Sequence, residues 1–129
     1  MLRSGKASIL IVEDDSAIAQ LMAARLAARG YHCVIARDGS LGIDLFESNP
    51  VELVITDLDL PRIDGIGVIQ KLRAVSAVPI VVVTGFGGDF REELLELDDI
   101  SITSKPFKAA AFVDMIESEL GKKRKAYNN

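Results

Sequence analysis

The sequence is poor in three features that mark secreted and membrane proteins: paired cysteines, long apolar runs and a signal segment. Its 129 residues include one cysteine, Cys33, which excludes an internal disulfide and fits a reducing compartment. No apolar run approaches the roughly 20 residues that a membrane-spanning helix needs. The early apolar run, Ala7 to Val12, is too short for the core of a secretory signal. We therefore expect a cytoplasmic protein with no membrane partner.

The chain also has only a small excess of one sign of charge. Lysine and arginine number 15 against 19 aspartates and glutamates, which leaves a net charge of −4. This balance argues against nonspecific nucleic-acid binding, so we do not expect nucleic acid as a partner. A hydrophobic content of 49% with 26% charged residues is typical of one globular domain. We assign that domain to residues 1–121 and interpret the basic segment 122–129 as a solvated tail.

Apolar runs alternate with segments of helical periodicity, a pattern that predicts repeated β-α units around a parallel sheet. The strands are predicted at 7–12, 31–36, 52–57, 79–84 and 100–104. The helices are predicted to contain Ile18 to Leu26, Gly39 to Ser48, Gly65 to Val75, Asp89 to Leu97 and Ala109 to Leu120. The strands are almost continuously apolar, which is typical of strands buried on both faces.

The first helix has apolar residues at the spacing of one helical face. Ile18, Leu21, Met22 and Leu26 fall at positions i, i+3, i+4 and i+8, so we predict that all four lie on the apolar face that packs against the core. Gly30 follows, and a glycine at that place favours a left-handed turn that ends the helix.

Polar and charged residues follow four of the predicted strands at the point where each strand ends. They are Glu13 and Asp14 after the first strand, Asp57 and Asp59 after the third, Thr84 at the end of the fourth and Lys105 after the fifth. The carboxyl ends of parallel strands lie at the same edge of a sheet, where ligands bind. Three carboxylates at that edge would repel one another unless a cation bridges them or one takes up a proton. Oxygen ligands of this kind favour Mg²⁺.

Asp57 is the candidate nucleophile, because a carboxylate can form a covalent bond to phosphorus. Taken alone, an aspartate at a strand end is more often a turn residue or a helix cap. Its predicted neighbours favour the functional interpretation. Lys105, with its backbone constrained by Pro106, can offset the charge of an added phosphoryl group, and Thr84 can donate a hydrogen bond to it.

With these residues identified, the chain resembles the receiver domain of two-component response regulators over essentially its whole length. The segment "DLDLPRIDG" that begins at Asp57 is similar to the phosphoacceptor segment of that family. Glu13 and Asp14 match its metal-binding acids, Thr84 matches its switch threonine, and the "KPF" that begins at Lys105 matches its lysine. The resemblance implies a flavodoxin-like α/β fold, with a five-stranded parallel sheet of order 2-1-3-4-5 and five helices on both faces.

The resemblance also implies how the site works. Asp57 would take a phosphoryl group from a phosphohistidine of a sensor histidine kinase or a histidine phosphotransfer protein. Mg²⁺ would be held by Asp14, Asp57 and the backbone carbonyl of Asp59, with Glu13 acting through water. The domain would hydrolyse its own acyl phosphate but would not otherwise be an enzyme. Its output would be contact with a downstream protein target, and a homodimer is left open.

Three further expectations come from positions near the site. A cis peptide bond before Pro106 is typical of the family, so we expect one here. The family often has an aromatic residue three positions before its lysine, whereas this chain has Ile102. Phe86, two residues after Thr84, is predicted to screen the phosphoryl group from water.

Two other interpretations are compatible with the same residues. Asp57 and Asp59 superficially match the two aspartates of haloacid-dehalogenase-type phosphatases, where they would be nucleophile and general acid. That family carries the motif on its first strand, whereas here it follows the third. The second alternative is a receiver-like domain that binds a partner without accepting phosphate.

Overall fold

The computed structural model describes residues 7–85 and 100–128. The strands are β1 (Ser8–Val12), β2 (His32–Ala36), β3 (Leu53–Thr56), β4 (Ile80–Thr84) and β5 (Ile100–Ser104). The helices are α1 (Ser16–Ala27), α2 (Gly39–Ser48), α3 (Gly65–Arg73) and α4 (Ala109–Asn128). The described part of the chain thus has four helices, and the predicted helix at 89–97 lies outside it.

The five strands form one parallel sheet in the order β2-β1-β3-β4-β5, which confirms the predicted flavodoxin-like topology. Every residue of β1, β3 and β4 is buried, whereas β2 and β5 at the two sides have exposed residues. The apolar, mostly β-branched sequences of the inner strands suit this position, because helices cover a parallel sheet on both faces.

Side chains of successive strand residues enter two separate cores, one on each face of the sheet. Ile9 and Ile11 of β1 point to the face that α1 and α4 cover, where they meet Met22. Leu10 and Val12 point to the opposite face, which α2 and α3 cover. This alternation follows from the pleat of the strand, and it fixes which residues of β1 face each pair of helices.

The buried face of α1 differs from the prediction at one position. Ile18, Met22 and Leu26 pack into the core as predicted, but Leu21 is 43% exposed. Successive residues of an α-helix are rotated by about 100°, so Leu21 lies more than a quarter turn from Met22 and outside the buried arc. Gly30 has a φ of 93° after the end of the helix, which confirms the predicted left-handed turn.

The helix ends agree with prediction to different degrees. The bounds of α2, Gly39–Ser48, are those predicted, and α3 ends at Arg73, two residues before the predicted Val75. The last helix continues through Gly121 to Asn128, whereas we predicted its end at Leu120. A glycine inside a helix costs about 1 kcal/mol relative to alanine, which is too little to end a helix by itself. Within the described residues, no helix is both long and apolar enough to cross a membrane.

Candidate functional site

Asp57 lies directly after β3 and is 6% exposed. Its backbone N–H donates to the carbonyl of Val12 at the end of β1, at 3.0 Å. Its side-chain Oδ1 accepts hydrogen bonds from the N–H groups of Leu58, at 2.7 Å, and Asp59, at 3.3 Å. The carboxylate is therefore held at the carboxyl edge of the sheet by the backbone that follows it.

The two acids after β1 lie beside Asp57 and differ in exposure. Glu13 is 2% exposed, and its Oε2 accepts a hydrogen bond of 3.1 Å from the N–H of Asp15. Asp14 is exposed to solvent. One carboxylate oxygen from each of Glu13, Asp14 and Asp57 lies within 4.8 Å of the others. The structure thus brings Asp57 together with two adjacent acids that lie more than 40 positions earlier in the sequence.

Lys105 connects two of these acids. Its Nζ lies 2.5 Å from Oε1 of Glu13 and 2.7 Å from Oδ2 of Asp57, and its side chain is 20% exposed. Its backbone N–H donates to the carbonyl of Thr84 at 3.1 Å, and its peptide bond to Pro106 is cis, as expected. An ammonium between two buried carboxylates offsets part of their mutual repulsion.

The ionisation of the site reflects both burial and these contacts. Burial raises the pKa of Glu13, and the charge of Asp57 acts in the same direction. The hydrogen bonds from Lys105 and from the N–H of Asp15 oppose this shift but do not cancel it. Burial alone would lower the pKa of Lys105, but its hydrogen bonds to Asp57 and Glu13 outweigh burial and raise it. Lys105 is therefore held in its charged form.

Two of the remaining candidate residues, Thr84 and Asp59, lie at or after the ends of inner strands, at the same edge of the sheet. Thr84 is the last residue of β4, 2% exposed and paired in register with Ser104 of β5. Asp59 is exposed in the loop between β3 and α3. Ile102, at the position where the family often has an aromatic residue, is 45% exposed on β5. Phe86, predicted to screen the phosphoryl group, lies outside the described residues.

The arrangement of the acids suits a small divalent cation. Carboxylate oxygens are the hard ligands that Mg²⁺ prefers, and a magnesium site needs few of them because the ion keeps several waters. The cluster supplies oxygens from Glu13, Asp14 and Asp57 within the span of one ion. A cavity of about 330 Å³ adjoins Glu13 and Asp14, so the acids border open space on the solvent side.

Sequence reasoning missed the aspartates that cap α2 and α3. Asp38 and Asp64 each cap a helix, accepting hydrogen bonds from the N–H groups of Leu41 and Gly67 at 2.7 and 2.9 Å. Each is followed by a glycine that begins the helix. An Asp-Gly pair at the start of a periodic segment is a readable signal for a helix N-terminus, and it would have identified both.

A model of the response regulator receiver domain family matches residues 9–117 of the chain. "Probable transcriptional regulator ycf27" of Guillardia theta is 35% identical, over 94% of this chain and 48% of that protein. The sensory transduction protein RegX3 of Mycolicibacterium smegmatis is 32% identical, over 88% of this chain and 50% of that protein. The chain therefore spans about half the length of these curated relatives.

Solved structures agree with the fold. A receiver domain protein of Methanospirillum hungatei superposes with a TM-score of 0.86 at 25% identity, over 93% of this chain and 98% of that one. A receiver domain protein of Clostridium thermocellum superposes with a TM-score of 0.84 at 22% identity, over 94% of this chain and 99% of that one. The second likeness, at its lower identity, concerns the fold alone.

Proposed function

The chain belongs to the family of response regulator receiver domains, and from this premise we propose that Asp57 is its phosphoacceptor. The donor is a phosphohistidine on a sensor histidine kinase or on a histidine phosphotransfer protein. The observation that carries this proposal is the environment of Asp57, whose buried carboxylate lies among Glu13, Asp14 and Lys105 at the carboxyl edge of the sheet. The proposed domain is residues 1–121, and the basic tail 122–129 continues its last helix as far as Asn128.

The proposed reaction exchanges one phosphorus bond for another. A carboxylate oxygen of Asp57 forms a bond to phosphorus while the bond between phosphorus and the donor's histidine nitrogen breaks. The electron pair of that bond returns to the imidazole, which leaves. In the later hydrolysis, a water oxygen bonds to phosphorus and the Asp57 carboxylate leaves with the electron pair of the acyl-phosphate bond. Beyond these two steps on itself, the domain catalyses no reaction.

We assign the magnesium site to Asp14, Asp57 and the backbone carbonyl of Asp59, with Glu13 acting through water. The bound cation would neutralise charge on the phosphoryl oxygens during transfer. The support for this assignment is that oxygens of Glu13, Asp14 and Asp57 lie within 4.8 Å of one another.

Lys105 and Thr84 are proposed to stabilise the phosphorylated form. Phosphorylation adds about −1.5 to −2 charge, and a hydrogen bond to a charged group contributes roughly 1.5–3 kcal/mol. Two such bonds would give about 3–6 kcal/mol, close to the roughly 5.5 kcal/mol that inverts a 1:99 equilibrium. Lys105 already bonds to Asp57 and Glu13 before phosphorylation. It therefore contributes to the switch only the difference in free energy between these bonds and its bond to the phosphoryl group. Thr84 therefore has to supply a large share of the switching energy.

The output of the proposed switch is contact with a downstream protein target, in the cytoplasm where the phosphohistidine donor acts. Longer relatives named as transcriptional and sensory transduction proteins support a role in signalling. The alternative of a haloacid-dehalogenase-type phosphatase is opposed by the position of Asp57 after β3, since that family carries its aspartate on the first strand.

Mass spectrometry after treatment with phosphoramidate and Mg²⁺ tests the proposal. We expect the wild type to gain one phosphoryl group and the Asp57→Asn variant to gain none. Asp59→Asn is the matched control, because it removes a neighbouring carboxylate but keeps the backbone carbonyl, and it should still be labelled. Chelation of Mg²⁺ with EDTA should prevent labelling of the wild type.

Three outcomes would contradict the proposal. Equal labelling of the wild type and Asp57→Asn would assign the phosphate to another residue. Rapid turnover of small phosphomonoesters without stable labelling would favour the phosphatase. An unlabelled wild type that binds a partner would favour the receiver-like domain without phosphate transfer.

A further inference from the structure

The loop between β3 and α3, which carries Asp59, contacts the N-terminus of α2. That helix supplies none of the site's acids. Gly39 is buried there, and its N–H donates to the carbonyl of Pro61 at 3.4 Å. A Cβ atom on Gly39 would lie 1.8 Å from the carbonyl oxygen of Ile63. No side chain fits at that distance, so glycine is required for the two backbones to come this close.

A left-handed residue lies in the same part of the loop. Arg62 has a φ of 70°, a conformation that is unfavourable for residues with a Cβ atom. Its side chain is 74% exposed, and its Nε lies 3.7 Å from Oδ2 of Asp38, the residue that caps α2. Because this exposed pair is weak, the course of the backbone between Pro61 and Ile63 accounts for the left-handed turn better than the arginine side chain does.

The other end of the loop is held in a similar way by α3. The N–H of Gly65 donates to the carbonyl of Leu58 at 3.0 Å, and a Cβ atom on Gly65 would lie 2.1 Å from the carbonyl oxygen of Asp57. Asp59 therefore belongs to a segment whose backbone is confined on both sides. The backbone contact of Gly39 links this segment to α2.

We propose that Gly39 and Arg62 are positioning residues that set the affinity of the site for Mg²⁺, Arg62 through its left-handed backbone conformation. Neither residue belongs to the acidic cluster, so both act through the loop that places the backbone carbonyl of Asp59 relative to the Asp57 carboxylate. Mg²⁺ requires near-ideal octahedral geometry with ligands at about 2.0–2.1 Å, so a small displacement of one ligand weakens binding. This inference rests on the proposed ligand role of Asp59 and adds the residues that control its position.

A matched pair of substitutions at Arg62 tests the turn without touching the core. Arg62→Val and Arg62→Asn both remove the contact with Asp38, but only the β-branched valine is strongly strained at positive φ. We expect Arg62→Val to raise the dissociation constant for Mg²⁺, measured by isothermal titration calorimetry, by about fivefold or more. Arg62→Asn should stay within about twofold of the wild type, because asparagine tolerates this conformation.

A second pair tests the contact with α2. Gly39→Ala would force the Ile63 carbonyl to move by about 1 Å or more, and we expect the Mg²⁺ dissociation constant to rise by about tenfold or more. Gly67→Ala is the control, because its Cβ atom would meet side-chain atoms and no backbone: Cγ2 of Ile63 at 2.7 Å and Oδ1 of Asp64 at 3.5 Å. It should change the constant by no more than about twofold. Circular dichroism and urea unfolding establish whether each variant is folded. If Gly39→Ala does not fold, the Arg62 pair of variants tests the proposal by itself.

Labelling by phosphoramidate at increasing Mg²⁺ separates positioning from general damage. For Arg62→Val we expect the rate to reach about the wild-type value once Mg²⁺ is saturating. If Arg62→Val and folded Gly39→Ala bind Mg²⁺ as tightly as the wild type, the positioning role is overturned while the phosphoacceptor role stands. A lower unfolding free energy with unchanged Mg²⁺ affinity also overturns it. If the wild type neither binds Mg²⁺ nor accepts phosphate, the proposed function itself is wrong.

Discussion

Charged residues gather at both edges of the sheet, but the two groups have opposite surroundings. At the carboxyl edge, the side chains of Glu13, Asp57 and Lys105 are 1%, 7% and 20% exposed. At the amino edge, Glu117 of α4 accepts hydrogen bonds from Arg29, at 2.5 Å, and from the hydroxyl of Tyr31, at 2.9 Å. There the Arg29 and Glu117 side chains are 47% and 29% exposed.

The pKa of a glutamate is shifted in opposite directions at the two edges. Burial raises the pKa of Glu13 at the carboxyl edge despite its contact with Lys105. For Glu119 at the amino edge, partial burial acts upward, but hydrogen bonds from Lys122 and Ser101 outweigh it and lower the pKa. The amino-edge contacts therefore favour the charged acid and attach α4 to the fold. At the carboxyl edge, burial and the charge of Asp57 still disfavour the ionised form of Glu13, and a bound cation would favour it.

Removing the ammonium group of Lys105 from the buried cluster should have the largest effect on stability. Lys105→Met leaves the carboxylates of Glu13 and Asp57 side by side without compensation. We expect the free energy of unfolding to fall by about 2–4 kcal/mol, slightly less than for a fully buried ion pair because the Lys105 side chain is 20% exposed. Urea unfolding at pH 7 in the presence of EDTA measures this loss.

Lys122→Met is the matched control at the amino edge, since its side chain is 74% exposed and pairs with Glu119 at 2.8 Å. It should cost no more than about 0.5 kcal/mol. Equal losses for the two methionine variants would mean that the edges do not differ in the way their exposure indicates.

A smaller effect is expected from the contact that joins α4 to the loop between α1 and β2. Glu117→Gln removes the ion pair with Arg29 and weakens the bond from Tyr31. We expect a loss of about 1 kcal/mol in unfolding free energy, because hydrogen bonds at partly exposed positions contribute at this level. A loss as large as that of Lys105→Met would contradict the comparison of the two edges. Mg²⁺ affinity, measured by calorimetry on the same variant, should not change.

The smallest effect should depend on pH. Because the pKa of Glu119 is lowered in the folded state, its contribution to stability is present above the ordinary glutamate value of 4.5. That contribution is lost as the pH falls through the lower folded value. We therefore expect Glu119→Gln to be less stable than the wild type by at most about 1 kcal/mol at pH 7.

Urea unfolding from pH 7 to pH 3 measures how this difference changes. The gap between Glu119→Gln and the wild type should close on acidification, since the wild-type carboxylate is then protonated in both states. A gap that widens as the pH falls would contradict the lowered pKa.

Prediction from the sequence succeeded where a pattern is local. The five strands, the bounds of α2 and the left-handed Gly30 are all readable from periodicity and from single residues with special backbone preferences. It was wrong for Leu21 of α1 and for the end of the last helix. In both cases the residue type permits two outcomes, and neighbouring elements of the fold decide between them.

The candidate site divides in the same way. The order of strands and acids along the chain determined which residues reach the carboxyl edge, because parallel strands bring all their carboxyl ends to one side. The contacts between those residues required coordinates. Lys105 and Glu13 are 92 positions apart, and nothing in the sequence pairs that ammonium with that carboxylate.

By itself, then, the sequence determined the sheet, its two covered faces and the set of polar residues at one edge. Only the tertiary structure decided that Lys105 lies between Glu13 and Asp57 and that the backbone of Gly39 touches that of Ile63. The physical reason is distance along the chain. Periodicity reports which way neighbouring residues face, whereas contacts of 2 to 3 Å between remote segments depend on how whole elements pack.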